Sequence, residues 1–130
     1  MASWADVERV ASALPEVTEG IRFETRVWRV KEKGFVWERP LRKRDLEELG
    51  DAAPRGPIVA ARTIDIDEQL ALTEGEADYC FITQHFAAYP AVLMRLDLIP
   101  PERLREIITD AWLACAPKRL AKMYLDAERA

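Results

Sequence analysis

One histidine and two cysteines are the side chains of this sequence most suited to nucleophilic catalysis, general base catalysis or metal binding. His85 lies in a Gln-His-Phe segment without a nucleophile motif, and Cys80 and Cys115 form no Cys-x-x-Cys pair. A Ser-His-Asp or Cys-His arrangement needs a nucleophile within hydrogen-bond reach of the imidazole, and no spacing here indicates one. We therefore expect a loop histidine bonded to the backbone, two buried reduced thiols, no catalytic residue and no enzyme.

Acidic residues cluster at three places, but none has the spacing of a metal site. The clusters are Asp65 with Asp67 and Glu68, Glu74 with Glu76 and Asp78, and Glu47 with Glu48 and Asp51. Weak divalent binding is the functional interpretation, because hard cations prefer oxygen ligands; solvated helix ends are the simpler one. The five glycines form no phosphate-binding loop, so we expect no metal and no cofactor.

Basic residues form groupings that could bind an anion. Arg42, Lys43 and Arg44 begin a short predicted helix, some arginines project from predicted strands, and three cations follow Pro117. Positive charge in the first turn of a helix opposes the helix dipole by about 0.3–1 kcal/mol per residue, so the last grouping hints at a bound anion. The alternative is that Pro117 only kinks one continuous helix. The candidate anion- or nucleic-acid-binding residues are Arg22, Arg26, Arg62, Arg95, Lys118, Arg119 and Lys122.

The overall charge counts against a dominant attraction to phosphate. The net charge is -4, although a local basic patch is compatible with it. Aromatic residues do not interleave with the basic ones as they do in an RNA-recognition sheet. Trp4, Trp28, Trp37 and Trp112 have core-like spacings, and only Trp28 is predicted to share a strand face with arginines.

The elements that must position these residues fit one domain, residues 1–130. Apolar residues make up 49% of the chain, which is enough for a core. The sequence has no run of 18 apolar residues and no signal-peptide pattern at its start, so we expect a cytoplasmic protein without a membrane partner.

Period-two segments predict an antiparallel sheet. Residues 21–30 alternate, with Ile21, Phe23, Thr25 and Val27 on the inward face and Arg22, Glu24, Arg26 and Trp28 on the outward face. Residues 31–34 form a turn and residues 35–39 return as the second strand of a hairpin. Further strands are predicted at residues 58–63, 79–82 and 91–98.

Helical periodicity covers much of the remaining chain. Helices are predicted at residues 3–14, 41–50 (with Leu46 and Leu49 inward) and 66–73. A further helix is predicted to start at Pro100 and Pro101 and to carry an apolar stripe from Leu104 to Cys115, and a last one follows Pro117 with Leu120, Met123 and Tyr124 inward. Hairpin-connected strands with segregated helices predict an α+β domain: an antiparallel sheet with helices packed on one face and the other face partly open to water.

Several segments carry a family resemblance that spans nearly the whole chain. They are Trp28-Arg-Val, Lys33-Gly-Phe-Val-Trp-Glu-Arg-Pro-Leu, His85-Phe, Tyr89-Pro-Ala-Val-Leu-Met-Arg-Leu-Asp and Asp110-Ala-Trp-Leu-Ala-Cys-Ala-Pro-Lys-Arg-Leu. With them the chain resembles the MmcQ/YjbR family of small bacterial proteins. The resemblance implies a frataxin-like (CyaY-like) sandwich, also compared with a double-wing DNA-binding arrangement.

The frataxin comparison would place iron on an acidic first helix, but this helix holds only Asp6 and Glu8 beside Arg9, so we expect no iron site. The leading hypothesis is a DNA-binding module that uses the outward sheet face and the basic turn after Pro117. The alternative is a protein- or small-ligand-binding domain with no nucleic-acid role, using an open sheet face that bears Trp28.

Overall fold

A computed structural model describes residues 2–129 of the protein, which form one antiparallel sheet and its covering helices. The strands of these residues are β1 (Val17–Arg22), β2 (Thr25–Val30), β3 (Lys33–Glu38), β4 (Ile58–Arg62), β5 (Cys80–Phe81) and β6 (Ala91–Arg95). They lie in the order β1-β2-β3-β4-β6-β5, and every neighbouring pair is antiparallel. The predicted α+β class with an antiparallel sheet is confirmed.

The α-helices of the described residues are α1 (Trp4–Ser12), α2 (Lys43–Leu49), α3 (Ile66–Gly75), α4 (Pro101–Cys115) and α5 (Lys118–Arg129). At the start of α1 the Ser3 hydroxyl accepts the Asp6 N–H at 3.3 Å, while the Asp6 carboxylate accepts the Ser3 N–H at 2.9 Å. After α4 the backbone of Ala116 is extended, so α4 and α5 are separate helices and Pro117 does not kink a continuous one. None of the described helices is both long and apolar enough to cross a membrane.

The inner face of the sheet, defined as the face that α1 and α4 cover, holds the main core. Each large apolar side chain buried there contributes about 1.5–3 kcal/mol. The indole N–H of Trp112 also donates to the carbonyl oxygen of Pro15 at 3.1 Å, which ties α4 to the loop after α1. The side chains that meet in this core include Val7, Ala11, Trp28, Val36, Val59, Met94, Leu104, Ile108 and Trp112.

The outer face, opposite α1 and α4, is covered only in part. Phe86 and Leu41 pack over Ile58 and Leu93 of β4 and β6 and form a second, smaller core. Over β1, β2 and β3 the outer face forms a groove instead. The sheet thus has one face covered by α1 and α4 and one partly open face, as predicted.

The strand predicted at residues 21–30 is wrong, because the chain reverses at Phe23 and Glu24. Both residues have left-handed φ angles, of 51° and 67°, and Arg22 pairs with Thr25 across the turn. Paired residues share a face, so the alternation of faces reverses at the turn. Arg22 and Thr25 therefore face outward together, although they were predicted on opposite faces.

This reversal inverts the predicted faces of several side chains. Trp28 is fully buried on the inner face, so the predicted outward tryptophan is wrong. Phe23 lies in the turn and is 78% exposed, although it was predicted to point inward. Ile21 keeps the inner side together with its partner Arg26, but on the edge strand β1 it is 67% exposed. Leu46 and Met123 are also exposed, contrary to the prediction. For α2 the reason is its length of seven residues, which buries Asp45 instead of an apolar stripe.

The β2–β3 turn offers a test of backbone strain. Lys31 and Glu32 both have left-handed φ angles, of 47° and 69°. This conformation costs a residue with a Cβ about 1–2 kcal/mol, whereas glycine adopts it freely but loses about 0.5–1 kcal/mol of unfolded-state entropy. We expect Glu32→Gly to raise the free energy of unfolding by about 0.5–1 kcal/mol in urea titrations. Glu32→Ala keeps the Cβ, and an equal gain in that variant would show that charge, not backbone strain, is the cause.

Candidate functional site

A groove of about 740 Å³ opens on the outer face of the sheet. Val27, Gly34 and Trp37 line it from β2 and β3, and we call it the cationic groove. Gly34 keeps the strand surface low, since a Cβ there would lie 3.1 Å from a methyl group of Val27. Phe23 lines the groove from the β1–β2 turn, and Tyr89 lines it from the loop before β6.

Positive charge predominates along the groove. Arg22, Lys33, Arg42 and Arg62 line it, and none of these cations forms an ion pair within residues 2–129. One lining residue, Glu38, carries a carboxylate, and this carboxylate is engaged by Arg26. It accepts the backbone N–H of Arg26 at 2.7 Å and lies 3.3 Å from the Arg26 guanidinium. A chain of net charge -4 therefore concentrates free cations on one face.

The structure brings together two of the residues that the sequence predicted. Arg22 and Arg62 line the same groove, although β1 and β4 are separated by two strands. Arg26 instead contacts Trp4 and Trp28, with its guanidinium 5.4 and 5.5 Å from their ring centres. Arg26 therefore belongs to the inner side of the sheet.

The other predicted cations lie outside the lining of the groove. Arg95 pairs with Ile58, at the end of the β4–β6 ladder opposite to Arg62. Lys118, Arg119 and Lys122 belong to α5, where the ammonium group of Lys122 forms an ion pair with Asp126 at 3.1 Å. The two predicted groupings, on strands and after Pro117, are thus carried by different elements.

Aromatic rings do interleave with the cations of the groove, contrary to the prediction. The Arg22 guanidinium lies 5.3 Å from the ring centre of Phe23, and the Arg62 guanidinium lies 5.0 Å from that of Tyr89. Trp37 is half-buried in the same groove. The sequence could not show the second pair, because Arg62 and Tyr89 belong to different segments that only the sheet brings together.

Tyr89 is held in place from below by a buried glutamine. The Gln69 side-chain N–H group of α3 lies 2.9, 2.7 and 2.7 Å from the carbonyl oxygens of Phe86, Tyr89 and Ala91. Arg62 adds a hydrogen bond to the Tyr89 hydroxyl at 3.3 Å. These hydrogen bonds fix the loop that carries Tyr89 against α3 and β4. No sequence signal distinguished Gln69 from a surface glutamine.

A buried ion pair forms the wall of the groove beside Phe86. The guanidinium of Arg39 lies 3.0 Å from the carboxylate of Asp45, with both side chains at most 7% exposed, and it stacks 5.4 Å from the ring centre of Phe86. Burial acts to raise the pKa of Asp45, but the backbone N–H of Arg42 and the charge of Arg39 outweigh it and hold that pKa below its usual value. Sequence patterns did not indicate this pair.

The groups that could perform covalent chemistry are poorly placed for it. His85 is exposed at the groove with its ring edge-on to Phe86, and among residues 2–129 its imidazole has no hydrogen-bond partner, so the expected bond to the backbone is wrong. Cys80 and Cys115 are free and buried, as predicted. Burial raises the pKa of Cys80 to about 12 and also raises that of Cys115, which keeps both thiols protonated and unreactive. The unpaired cations that line the groove are suited to binding an anion.

Comparisons with known proteins give a family model, curated relatives and a solved structure. The family model described as YjbR matches residues 12–114. The chain is 44% identical to the uncharacterized proteins Rv2570 of Mycobacterium tuberculosis and Mb2600 of Mycobacterium bovis, over 96% of this chain and 97% of each relative. The crystal structure of Deinococcus radiodurans protein DR2400, with a DUF419 domain, shares the fold at a TM-score of 0.68 and 20% identity, over 92% of this chain and 82% of that one.

The Arg39–Asp45 pair can be tested through stability. Asp45→Asn leaves the buried guanidinium of Arg39 without its counter-charge, and we expect the free energy of unfolding to fall by about 3 kcal/mol at pH 7. Asp51→Asn, which changes an exposed carboxylate close by, should have little effect. Urea titrations of both variants measure the free energy of unfolding. An equal decrease in the two variants would show that the buried pair stabilises the fold no more than an exposed carboxylate does.

The same pair sets a pH dependence. Because the folded pKa of Asp45 is lowered, its contribution is complete above the unfolded pKa of about 3.9 and is lost as the pH falls through the folded pKa. The stability difference between wild type and Asp45→Asn should therefore be constant from pH 7 to about pH 5 and shrink in more acidic solution. A difference that grew on acidification would contradict the assignment.

Proposed function

The chain belongs to the YjbR family, and from this premise we propose that it is a DNA-binding module that uses the cationic groove. The observation that carries the proposal is the set of four unpaired cations, Arg22, Lys33, Arg42 and Arg62, in one groove of the described residues. DNA is the partner that the family resemblance implies, and its phosphates are the ligands that such cations bind.

The placement of the carboxylates supports this proposal. Glu38 is turned to Arg26 and Asp45 is paired with Arg39, so neither is free to repel a phosphate. Phosphate binding to the groove then releases counterions, which makes the affinity depend on salt. Half-buried Arg62 offers a fixed guanidinium, since its Nε donates to the carbonyl oxygen of Pro90 at 3.2 Å.

A second candidate function is the binding of a small anionic ligand without a nucleic-acid role. The volume of about 740 Å³ favours it, because ligand pockets commonly measure ~300–1,000 Å³. The two functions differ in their dependence on ligand length. A small ligand fills the groove alone, whereas a polynucleotide binds through more phosphates as it grows.

We expect fluorescence anisotropy with a labelled DNA oligomer to show binding that weakens as salt rises from about 50 to 200 mM. Arg22→Glu combined with Arg62→Glu should lower the affinity at least tenfold and reduce the slope of log K against log salt by about 1 for each phosphate that the variant no longer binds. Affinity no better than millimolar at low salt would overturn the proposal. Mononucleotides that bind as tightly as the oligomer would support the small-ligand function instead.

A matched control separates the groove from the general charge of the chain. Arg55→Glu with Arg105→Glu reverses two exposed charges outside the groove and should change the affinity less than twofold. An equal loss in this control would contradict a site in the groove. Lys118→Glu with Arg119→Glu tests the second predicted grouping, and a loss confined to that variant would move the site to α5.

A further inference from the structure

Two exposed aromatic rings, each accompanied by an arginine, flank the cationic groove. Phe23 is 78% exposed beside Arg22, and Tyr89 is 42% exposed beside Arg62. Both rings line the same groove. Phosphate binding requires cations but no aromatic rings. We therefore expect the ligand to carry, besides phosphate, a second chemical group that contacts the rings.

We propose that the groove takes single-stranded DNA, with unpaired bases stacked on Phe23 and Tyr89 and phosphates held by Arg22 and Arg62. This inference rests on the proposed function, because it specifies which form of nucleic acid enters the groove. Bases of a single strand offer their faces to aromatic side chains, whereas the bases of an intact duplex are stacked on one another.

The exposure of Phe23 supports a stacking role. Its φ of 51° belongs to the left-handed region, which residues with a Cβ rarely adopt, and Glu24 at 67° shares it. The turn places the ring in solvent at the rim of the groove, where it packs against neither of the two hydrophobic cores of the described residues. The β2–β3 turn has the same pair of left-handed φ angles, so the turn itself accounts for them. What distinguishes Phe23 is its exposed apolar ring, which is typical of a binding position.

The second stacking position is preorganised. The Gln69 side chain, buried under the loop, fixes the backbone of Phe86, Tyr89 and Ala91. Arg62 contacts the Tyr89 hydroxyl and the Pro90 carbonyl oxygen, so the ring and its neighbouring cation are held together before a ligand arrives. A ring already in position loses little conformational freedom when a base stacks on it.

The separation of Phe23 and Tyr89 indicates how long the ligand is expected to be. Phe23 follows β1 and Tyr89 precedes β6, so the rings belong to elements on different sides of β2 and β3. A base stacked on one ring leaves the other arginine–aromatic pair without a ligand. A short strand would contact both, and we therefore expect affinity to rise from the mononucleotide to an oligomer.

The experiment measures the affinity of the full chain for labelled dT10, the dT10·dA10 duplex and rU10 at low salt. We expect dT10 to bind at least tenfold more tightly than the duplex. Tight binding of rU10 with dT10 no better than the duplex would overturn the inference. A duplex that binds as tightly as the single strands overturns the inference and leaves the proposed DNA-binding function standing, whereas no binding of any of the three overturns both.

Ring variants separate stacking from charge. Phe23→Leu and Tyr89→Leu should each lower the affinity for the single strand about tenfold, with no change in the salt slope, since no charge is removed. Tyr89→Phe keeps the ring and should keep the affinity, and Arg55→Ala is the matched control outside the groove. Circular dichroism checks that each variant is folded. Single-strand affinity unchanged in both leucine variants would overturn the stacking role even if the charge-reversed variant loses binding.

Discussion

The packing of α1 and α4 against one face of the sheet is the constraint on which the other features depend. Trp28, Val36 and Met94 of the sheet and Trp112 of α4 are buried in this core, and their burial fixes which side of each strand points inward. Because these two helices cover only the inner face, the outer face over β1, β2 and β3 is left for the cationic groove. The register that builds the core therefore also decides which cations face the groove.

The groove is positively charged because ion pairs neutralise the carboxylates in and beside it. Arg26 pairs with Glu38 at the end of β3, and Arg39 pairs with Asp45 beside Phe86. Both pairs neutralise a cation and an anion together, and the remaining cations Arg22, Lys33, Arg42 and Arg62 lack partners within the described residues. Net charge alone is a poor guide to the local surface, since attraction at a groove depends on the charges within about a Debye length.

Part of this arrangement was predictable from the residue pattern. Apolar periodicity predicted α4 and the antiparallel sheet, and two of the cations predicted to project from strands, Arg22 and Arg62, do line the groove. The pattern failed at Phe23 and Glu24, because a two-residue turn without glycine, asparagine or proline leaves no local signal. Because of this missed turn, Trp28 and Arg26 were predicted on the outer face, although both lie on the inner side. The contact of Phe23 with Arg22 was missed for the same reason.

The sequence by itself determined the class of the domain, its family and the segments that form the core, because burial of apolar surface depends on residue type and period. Only the tertiary structure decided that Arg62 contacts Tyr89 and that Gln69 supports the loop that carries Tyr89. The buried pair of Arg39 and Asp45 was likewise decided by the tertiary structure. These contacts join segments that are distant or irregular in sequence. Their geometry follows from strand order and turn conformation, which local propensity does not specify.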